Sequence, residues 1–281
     1  MSTVSMAIVP LRDEIFAANR AIGRIALTVA AGAGRSRPAR VHESGSLRVR
    51  FPHRDGAVLD AVIVNTGGGM TGGDRFDLDI NVGAGADVSV TTAAAEKIYR
   101  SLGPDTVLDV NLTVGSGGRL AWLPQETILF DRARLRRKID VDLEPDASLL
   151  LAEATIFGRS AMGETVLSGS FFDRWRVRVG GSLVFADAIR LDGAIAQSLA
   201  VPAAAAGGAA VASVLKVPGT EECVAAVRAF QQDFAGEVGA SAWNGLVAVR
   251  CVAADGGVLR HDLAKVLAAL GSGPLPRLWT N

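Results

Sequence analysis

Apolar and polar residues alternate through Val58–Asn65, Phe76–Val82 and Val107–Val114, the period of a strand with one buried face. Further strand-like runs follow at Lys138–Leu143, Leu149–Phe157, Trp175–Val179 and Leu183–Leu191. Four segments share one layout of strand, short turn and strand: LDINV-GAGA-DVSV, VNLTV-GSGG-RLAW, IDVDL-EPDA-SLLL and WRVRV-GG-SLVF. Their turns begin at Gly83, Gly115, Pro145 and Gly180, at intervals of 32, 30 and 35 residues. A period of that length predicts stacked supersecondary units. An evenly spaced meander of hairpins accounts for it equally well. Either way, the strand–helix alternation of an α/β fold is absent.

Helical periodicity appears only late. Cys223, Val224, Val227, Phe230 and Phe234 form one stripe, which predicts a helix over Thr220–Glu237. Leu259, Leu263, Val266, Leu267 and Leu270 predict a second over Val258–Leu270, stopped by Gly271 with Pro274 beyond. Packing onto the sheet is the expected use of both stripes. Trp243–Val252, between them, reads as one buried strand. Gly193–Leu215 carries no charge over 23 residues, but it is mostly Ala and Gly and contains Pro202. It reads as a flexible connection plus the strand AAVASVLKV rather than a membrane span.

Composition narrows the function classes. In 281 residues, 29 basic side chains balance 29 acidic ones, so the whole chain has no electrostatic pull toward nucleic acid or an anionic membrane. The hydrophobic share of 49% and mean hydropathy of +0.30 exclude disorder and point to a substantial adhesive face. Two cysteines are too few for a disulfide scaffold and three histidines too few for a His-rich metal store. The N-terminus, MSTVSMAIVPLRDEIF, lacks the basic start and long apolar run of a secretory signal. The expected location is the cytoplasm.

The densest motif is Asn65-Thr-Gly-Gly-Gly-Met-Thr-Gly-Gly-Asp74, which contains Gly67-x-Gly69-x-x-Gly72 after a strand. A dinucleotide fingerprint requires a helix to open at its last glycines. Here RFDLDINV follows, an alternating strand, and Asp74 stands where a phosphate-binding loop needs Lys. No stably bound nucleotide or other cofactor is therefore expected. Asn65, Thr66, Gly67, Gly69, Gly72 and Gly73 read either as a tight turn or as a place where another backbone or a partner approaches closely. No nucleophile elbow, Cys-His pair or zinc motif occurs, so no catalytic residue is assigned.

Carboxylates in apolar or strand-like settings remain: Glu96 before Lys97-Ile-Tyr-Arg100, Glu126 in LPQETILF and Glu153 in LLLAEA. Such groups are paired with cations or put to use. Lys97, Arg100, Arg134, Arg136 and Arg137 are available partners.

The ordered segments NTGGGMTGGDRFDLDINVGAGADVSVTTAAAEKIYRS, LPQETILFDRARLRRKIDVDL, AEATIFGRSAMGE, DRWRVRVGGSLVFADAIRLDG, GASAWNGLVAVR and LPRLW resemble the urease accessory protein D family, UreD or UreH. The resemblance runs from about Gly45 to Trp279; residues 1–20 and 193–211 have no counterpart in it. It implies a mainly β chain, a β-helix-like solenoid stack of many strands with two helices in its C-terminal region. The division it suggests is an N-terminal extension over 1–20 and a single β-rich domain over 21–281. It further implies a non-enzymatic metallochaperone scaffold in a hetero-oligomer. Such proteins bind a helical partner (UreF) that recruits a GTPase (UreG), which alone uses GTP, and the assembly docks on apo-urease. Nickel would pass transiently along a tunnel, with Asp74, Glu96, Glu126 and Glu153 as the acidic residues expected on that route. A docking module without a metal role and a dinucleotide-dependent enzyme are the competing readings.

Overall fold

A computed structural model describes residues 19–53, 55–159, 162–271 and 273–280. The expected extension over 1–20 lies outside the described residues except for Asn19 and Arg20. Two sheets face each other. The first, in the order β14-β13-β11-β8-β5-β1-β2, comprises β1 (Ile22–Ala31), β2 (Ser36–Ser44), β5 (Arg75–Val82), β8 (Thr106–Val114), β11 (Arg134–Leu143), β13 (Gly169–Val179) and β14 (Ser182–Gly193). The second, ordered β16-β17-β15-β12-β9-β6-β4-β3, comprises β3 (Leu47–Arg50), β4 (Leu59–Asn65), β6 (Asp87–Thr92), β9 (Arg119–Trp122), β12 (Ser148–Phe157), β15 (Ala210–Val217), β16 (Glu237–Trp243) and β17 (Leu246–Ala253). Two short strands, β7 (Glu96–Ile98) and β10 (Thr127–Leu129), pair with each other, and β10 also pairs with β12.

The chain winds between these sheets as a β-solenoid of about 4 turns. Strands β5, β8, β11 and β13 are parallel neighbours, as are β4, β6, β9 and β12. Arg75 pairs with Val107, Val107 with Arg136 and Arg136 with Phe172, so successive coils are offset by 32, 29 and 36 residues. This offset is the physical origin of the repeat in the sequence. The strands flanking the Gly83, Gly115 and Pro145 turns lie in opposite sheets, so those turns are solenoid corners rather than hairpins. Only the fourth segment is a hairpin, with β13 antiparallel to β14 and Gly180 and Gly181 at φ +55° and +79°. At the corners, Gly85 N–H donates to Ser116 O at 2.8 Å and Ser116 Oγ to Asp146 Oδ2 at 2.8 Å, stitching one coil to the next.

Inward positions of both sheets form the main core, including Ile25, Leu78, Val110, Leu120 and Ile139. A second core lies on the far side of the second sheet, beneath α2 (Glu221–Arg228) and α3 (Gly256–Leu270). Strand β12 is therefore covered on both faces. Leu149 and Leu151 point into the solenoid, whereas Leu150, Ala152 and Ala154 point toward the helices, which accounts for its unbroken apolar run. Asp255 caps α3 by accepting from Gly257 N–H and Val258 N–H at 2.8 and 3.0 Å.

Three sequence expectations need correction. The helix expected over Thr220–Glu237 is only Glu221–Arg228, followed by a 3₁₀ turn at Gln231–Asp233. Beyond that turn Phe234 is extended, and Asp262 of α3 accepts Ala235 N–H and Gly236 N–H at 3.0 and 2.7 Å. Phe234 stays packed on the second core, so the apolar stripe outlasts the helix. The single strand expected over Trp243–Val252 is the β16–β17 hairpin, turning at Asn244-Gly245 with φ +49° and +73°. Both signs are those of a type I′ turn, which favours Asn-Gly. The flexible connection after Gly193 contains a short helix, α1 (Ile195–Ala200). Among the described residues, no helix is long and apolar enough to cross a membrane.

Candidate functional site

The glycine-rich segment leads straight into β5, so no helix N-terminus faces it. Asp87, at the position an acidic ribose-binding residue would take, is instead bonded to Arg119 at 2.9 Å. Met70 bridges Ile98 of the next coil, and Met70 N–H donates to Lys97 O at 2.7 Å. The close approach expected here is made by this chain itself. A Cβ on Gly69 would lie 2.5 Å from the Tyr99 ring, and one on Gly72 only 1.9 Å from Ser101 Oγ. Asn65 organises the turn: its Oδ1 accepts Gly67 N–H at 2.9 Å, while its Nδ2 donates to Gly69 O and to Glu96 Oε1 at 3.2 and 3.0 Å. Thr66 Oγ1 donates to Ser46 O at 2.9 Å, and Gly73 packs on Arg20.

The four acidic candidates do not form one cluster. Asp74, buried, accepts Ala21 N–H and Thr71 N–H, each at 2.8 Å, tying β1 to the glycine loop. Glu96, half-buried on β7, is bonded by Asn65 and by its neighbour's backbone; burial pushes its carboxyl up to about 7, against the Asn65 bond and aided by the charge of Asp74. Its N–H donates to Glu126 O at 2.9 Å. The Glu126 side chain, buried, accepts from Arg260 Nη1 at 2.8 Å. Arg260 also donates to Leu278 O at 2.7 Å and lies 5.0 Å from the Trp279 ring centroid, so this pair fastens the C-terminal tail.

Glu153 is buried inside the solenoid itself. It points from β12 into the solenoid, where Arg137 of β11 and Asp173 of β13 meet it from the opposite sheet. Arg137 Nη1 donates to Glu153 Oε2, while Arg137 Nε and Nη2 donate to the two Asp173 oxygens at 3.0 and 2.6 Å. Trp122 Nε1 donates to Glu153 at 2.9 Å and Trp175 Nε1 to Asp173 at 3.2 Å. Thr127 Oγ1 accepts from Arg137 Nη1 at 3.3 Å. Burial pushes the Glu153 carboxyl up to about 7; Arg137 opposes this and Asp173 adds to it. Burial also penalises the guanidinium, but the two carboxylates prevail and hold its pKa above the usual arginine value.

Sequence reasoning missed Arg137 and Asp173 as a pair. The available signal was phase: Leu135-x-Arg137-x-Ile139 and Phe171-x-Asp173-x-Trp175 place both charges on inward positions of their strands. Among the described residues, no three His, Cys, Asp or Glu side chains come together to hold a metal ion. Cys251 is buried, and desolvation pushes its thiol up to about 12, away from the thiolate form a metal requires.

These observations define a β-solenoid with a buried network of one guanidinium and two carboxylates in its interior and a glycine loop used for coil-to-coil packing. Residues 21–280 match the family described as UreD urease accessory protein. The chain belongs to that family. It is 55% identical over 269 residues to the urease accessory protein UreD of Rhodopseudomonas palustris strain BisA53, covering 96% of this chain and 94% of that one. The UreD of Bradyrhizobium diazoefficiens is 52% identical, with 96% and 97% covered, and UreD 1 of Bradyrhizobium sp. ORS 278 is 48% identical, with 95% and 96% covered.

Proposed function

We propose that this chain is a non-catalytic urease maturation factor, a scaffold that joins UreF and the GTPase UreG on apo-urease while nickel is delivered. The observation that carries this reading is the family match over residues 21–280. The scaffold works in the cytoplasm, without nucleic acid or membrane, and any nucleotide is bound by UreG. Nickel is cargo here, handled transiently by oxygen ligands, and Glu96 is the best candidate among the four acids. Glu126 and Glu153 are paired with guanidinium groups and Asp74 is buried under two backbone amides, whereas Glu96, half-buried, accepts the Asn65 amide and the Lys97 N–H and faces no cation across a salt bridge among the described residues.

The test is nickel counting on urease after co-expression with UreF and UreG. Glu96→Gln keeps an acceptor for Asn65 and removes the charge, so nickel per urease should fall several-fold while the chain remains folded. Absence of urease activation by the wild-type chain in this assay would overturn the maturation role. The absence of a three-ligand metal cluster among the described residues favours a second reading, a docking module through which no nickel passes. On that reading Glu96→Gln loads urease as well as wild type. Saturable binding of NAD or GTP to the isolated chain would support the enzyme alternative.

A further inference from the structure

On the face of the second sheet that points away from the solenoid interior, the end of α3 and the C-terminal tail border a cavity of about 230 Å³. Strand register sets its floor as one row of side chains. Ser89 of β6 pairs with Ala121 of β9, Ala121 with Leu150 of β12, and Leu150 with Lys216 of β15. All four point outward, because their neighbours Val88, Leu120, Leu149 and Leu215 fill the solenoid core. A second row, Asp87–Arg119–Ser148, edges this floor, and Leu123, Leu270 and Leu275 supply apolar walls.

Both ends of the floor carry polar groups that the chain itself does not satisfy. Ser89 is 5% exposed, and its Oγ has no hydrogen-bond partner. A buried hydroxyl left unpaired is destabilising, so a ligand atom that bonds it is favoured. At the other end, half-buried Lys216 has no ion-pair or hydrogen-bond partner among the described residues, and neither has the Ser148 hydroxyl. Asp87, the carboxylate on this lining, is already held by Arg119 Nε and Nη2 at 2.9 and 2.7 Å. Free capacity therefore consists of an ammonium, a hydroxyl and the remaining edge of one guanidinium on one side, and the Ser89 hydroxyl across an apolar floor.

We propose that this cavity binds a small monocarboxylate with a compact apolar body and a hydroxyl at its far end. The carboxylate sits among Lys216, Ser148 and the open edge of Arg119, the body lies on Ala121 and Leu150, and the distal hydroxyl meets Ser89. A neutral apolar occupant would leave the ammonium and both serine hydroxyls unpaired, and a phosphate ester would bring more negative charge than one free ammonium offsets. Size selects the same class. An apolar cavity of ~150 Å³ holds benzene, so this one has room for a ring and a short acidic arm but not for a peptide segment. None of these residues belongs to the acidic set considered for nickel.

The test is a ligand-observed NMR titration of the full chain with 4-hydroxyphenylacetate, phenylacetate and 4-hydroxyphenylacetamide. Wild type should bind the first saturably, several-fold more tightly than the second, which lacks the hydroxyl, and about tenfold more tightly than the third, which lacks the charge. Ser89→Ala should erase the difference between the two acids. Lys216→Met should weaken both acids about tenfold and leave the amide unchanged. Because Leu275 and Pro276 border the cavity, 4-hydroxyphenylacetate should also slow protease cleavage near residue 275. Non-saturable binding of all three probes, or affinities that both substitutions leave unchanged, would overturn the site. Equal affinity for the acid and its amide would overturn the carboxylate assignment.

Discussion

The Arg137–Glu153–Asp173 network predicts an unusual result: a variant lacking one buried charge partner should gain stability relative to wild type as pH rises. One guanidinium serves two carboxylates, so full ionisation leaves one uncompensated negative charge in the core. The Glu153 pKa of about 7 exceeds the ordinary value of 4.5, so the folded chain holds this proton more tightly than the unfolded chain. The stabilising contribution is thus complete below about pH 4.5, declines as pH rises to about 7 and stays lost above that. At ~1.4 kcal/mol per pH unit, the loss is roughly 3 kcal/mol. Glu153→Gln removes the titration. Its amide keeps one oxygen acceptor, for Arg137, and leaves Trp122 Nε1 facing the amide nitrogen, a cost that does not change with pH. Urea denaturation at pH 5 and pH 8 should show the variant gaining roughly 3 kcal/mol relative to wild type between the lower pH and the higher. Arg137→Met strands both carboxylates and should cost about 3–5 kcal/mol at pH 8. A difference between Glu153→Gln and wild type that is flat from pH 5 to 8, or a loss matching Arg137→Met, would refute the reasoning.

Other outcomes follow from packing. Gly72→Ala should lower the urea midpoint by the equivalent of about 1–3 kcal/mol, because its Cβ meets Pro104 O at 2.5 Å as well as the Ser101 hydroxyl. Gly117→Ala, at φ +62° in open space, should cost only about 1 kcal/mol. Arg260→Ala unfastens Glu126, Leu278 and Trp279 together, so protease cleavage near residue 275 should accelerate while the solenoid stays folded. Light scattering of the isolated chain should report self-association; a monodisperse chain at high concentration would contradict an adhesive apolar face.

The repeat was legible in the residues because its signal is periodic. Alternation in β5 and β8 marks which side chains point inward, and the spacing of Gly83, Gly115 and Pro145 reports one corner per coil. The choice between solenoid and hairpins was not legible, since the sheet joined by each flanking strand depends on pairing partners about 30 residues away. The extent of α2 was misread for a related reason: Phe230 and Phe234 keep helical spacing, but the backbone just beyond them bonds to Asp262 of α3, distant in sequence. In the candidate site, Glu153 stood out against apolar neighbours. Arg137 was one of five cations named as available partners, and nothing but its inward phase on β11 separates it from Arg134 and Arg136.

The parallel coils end in strands that run the other way. At one end β2 and β3 lie antiparallel to β1 and β4, and at the other β14 and β15 lie antiparallel to β13 and β12. The parallel ladder therefore stops inside the molecule at both ends, and an incoming coil would meet a reversed strand in place of another parallel rung. The same geometry makes length change quantised. Within the strands an insertion or deletion is compatible with the register only when it adds or removes about one whole coil, on the order of 30 residues, whereas the corners absorb the difference between offsets of 29 and 36.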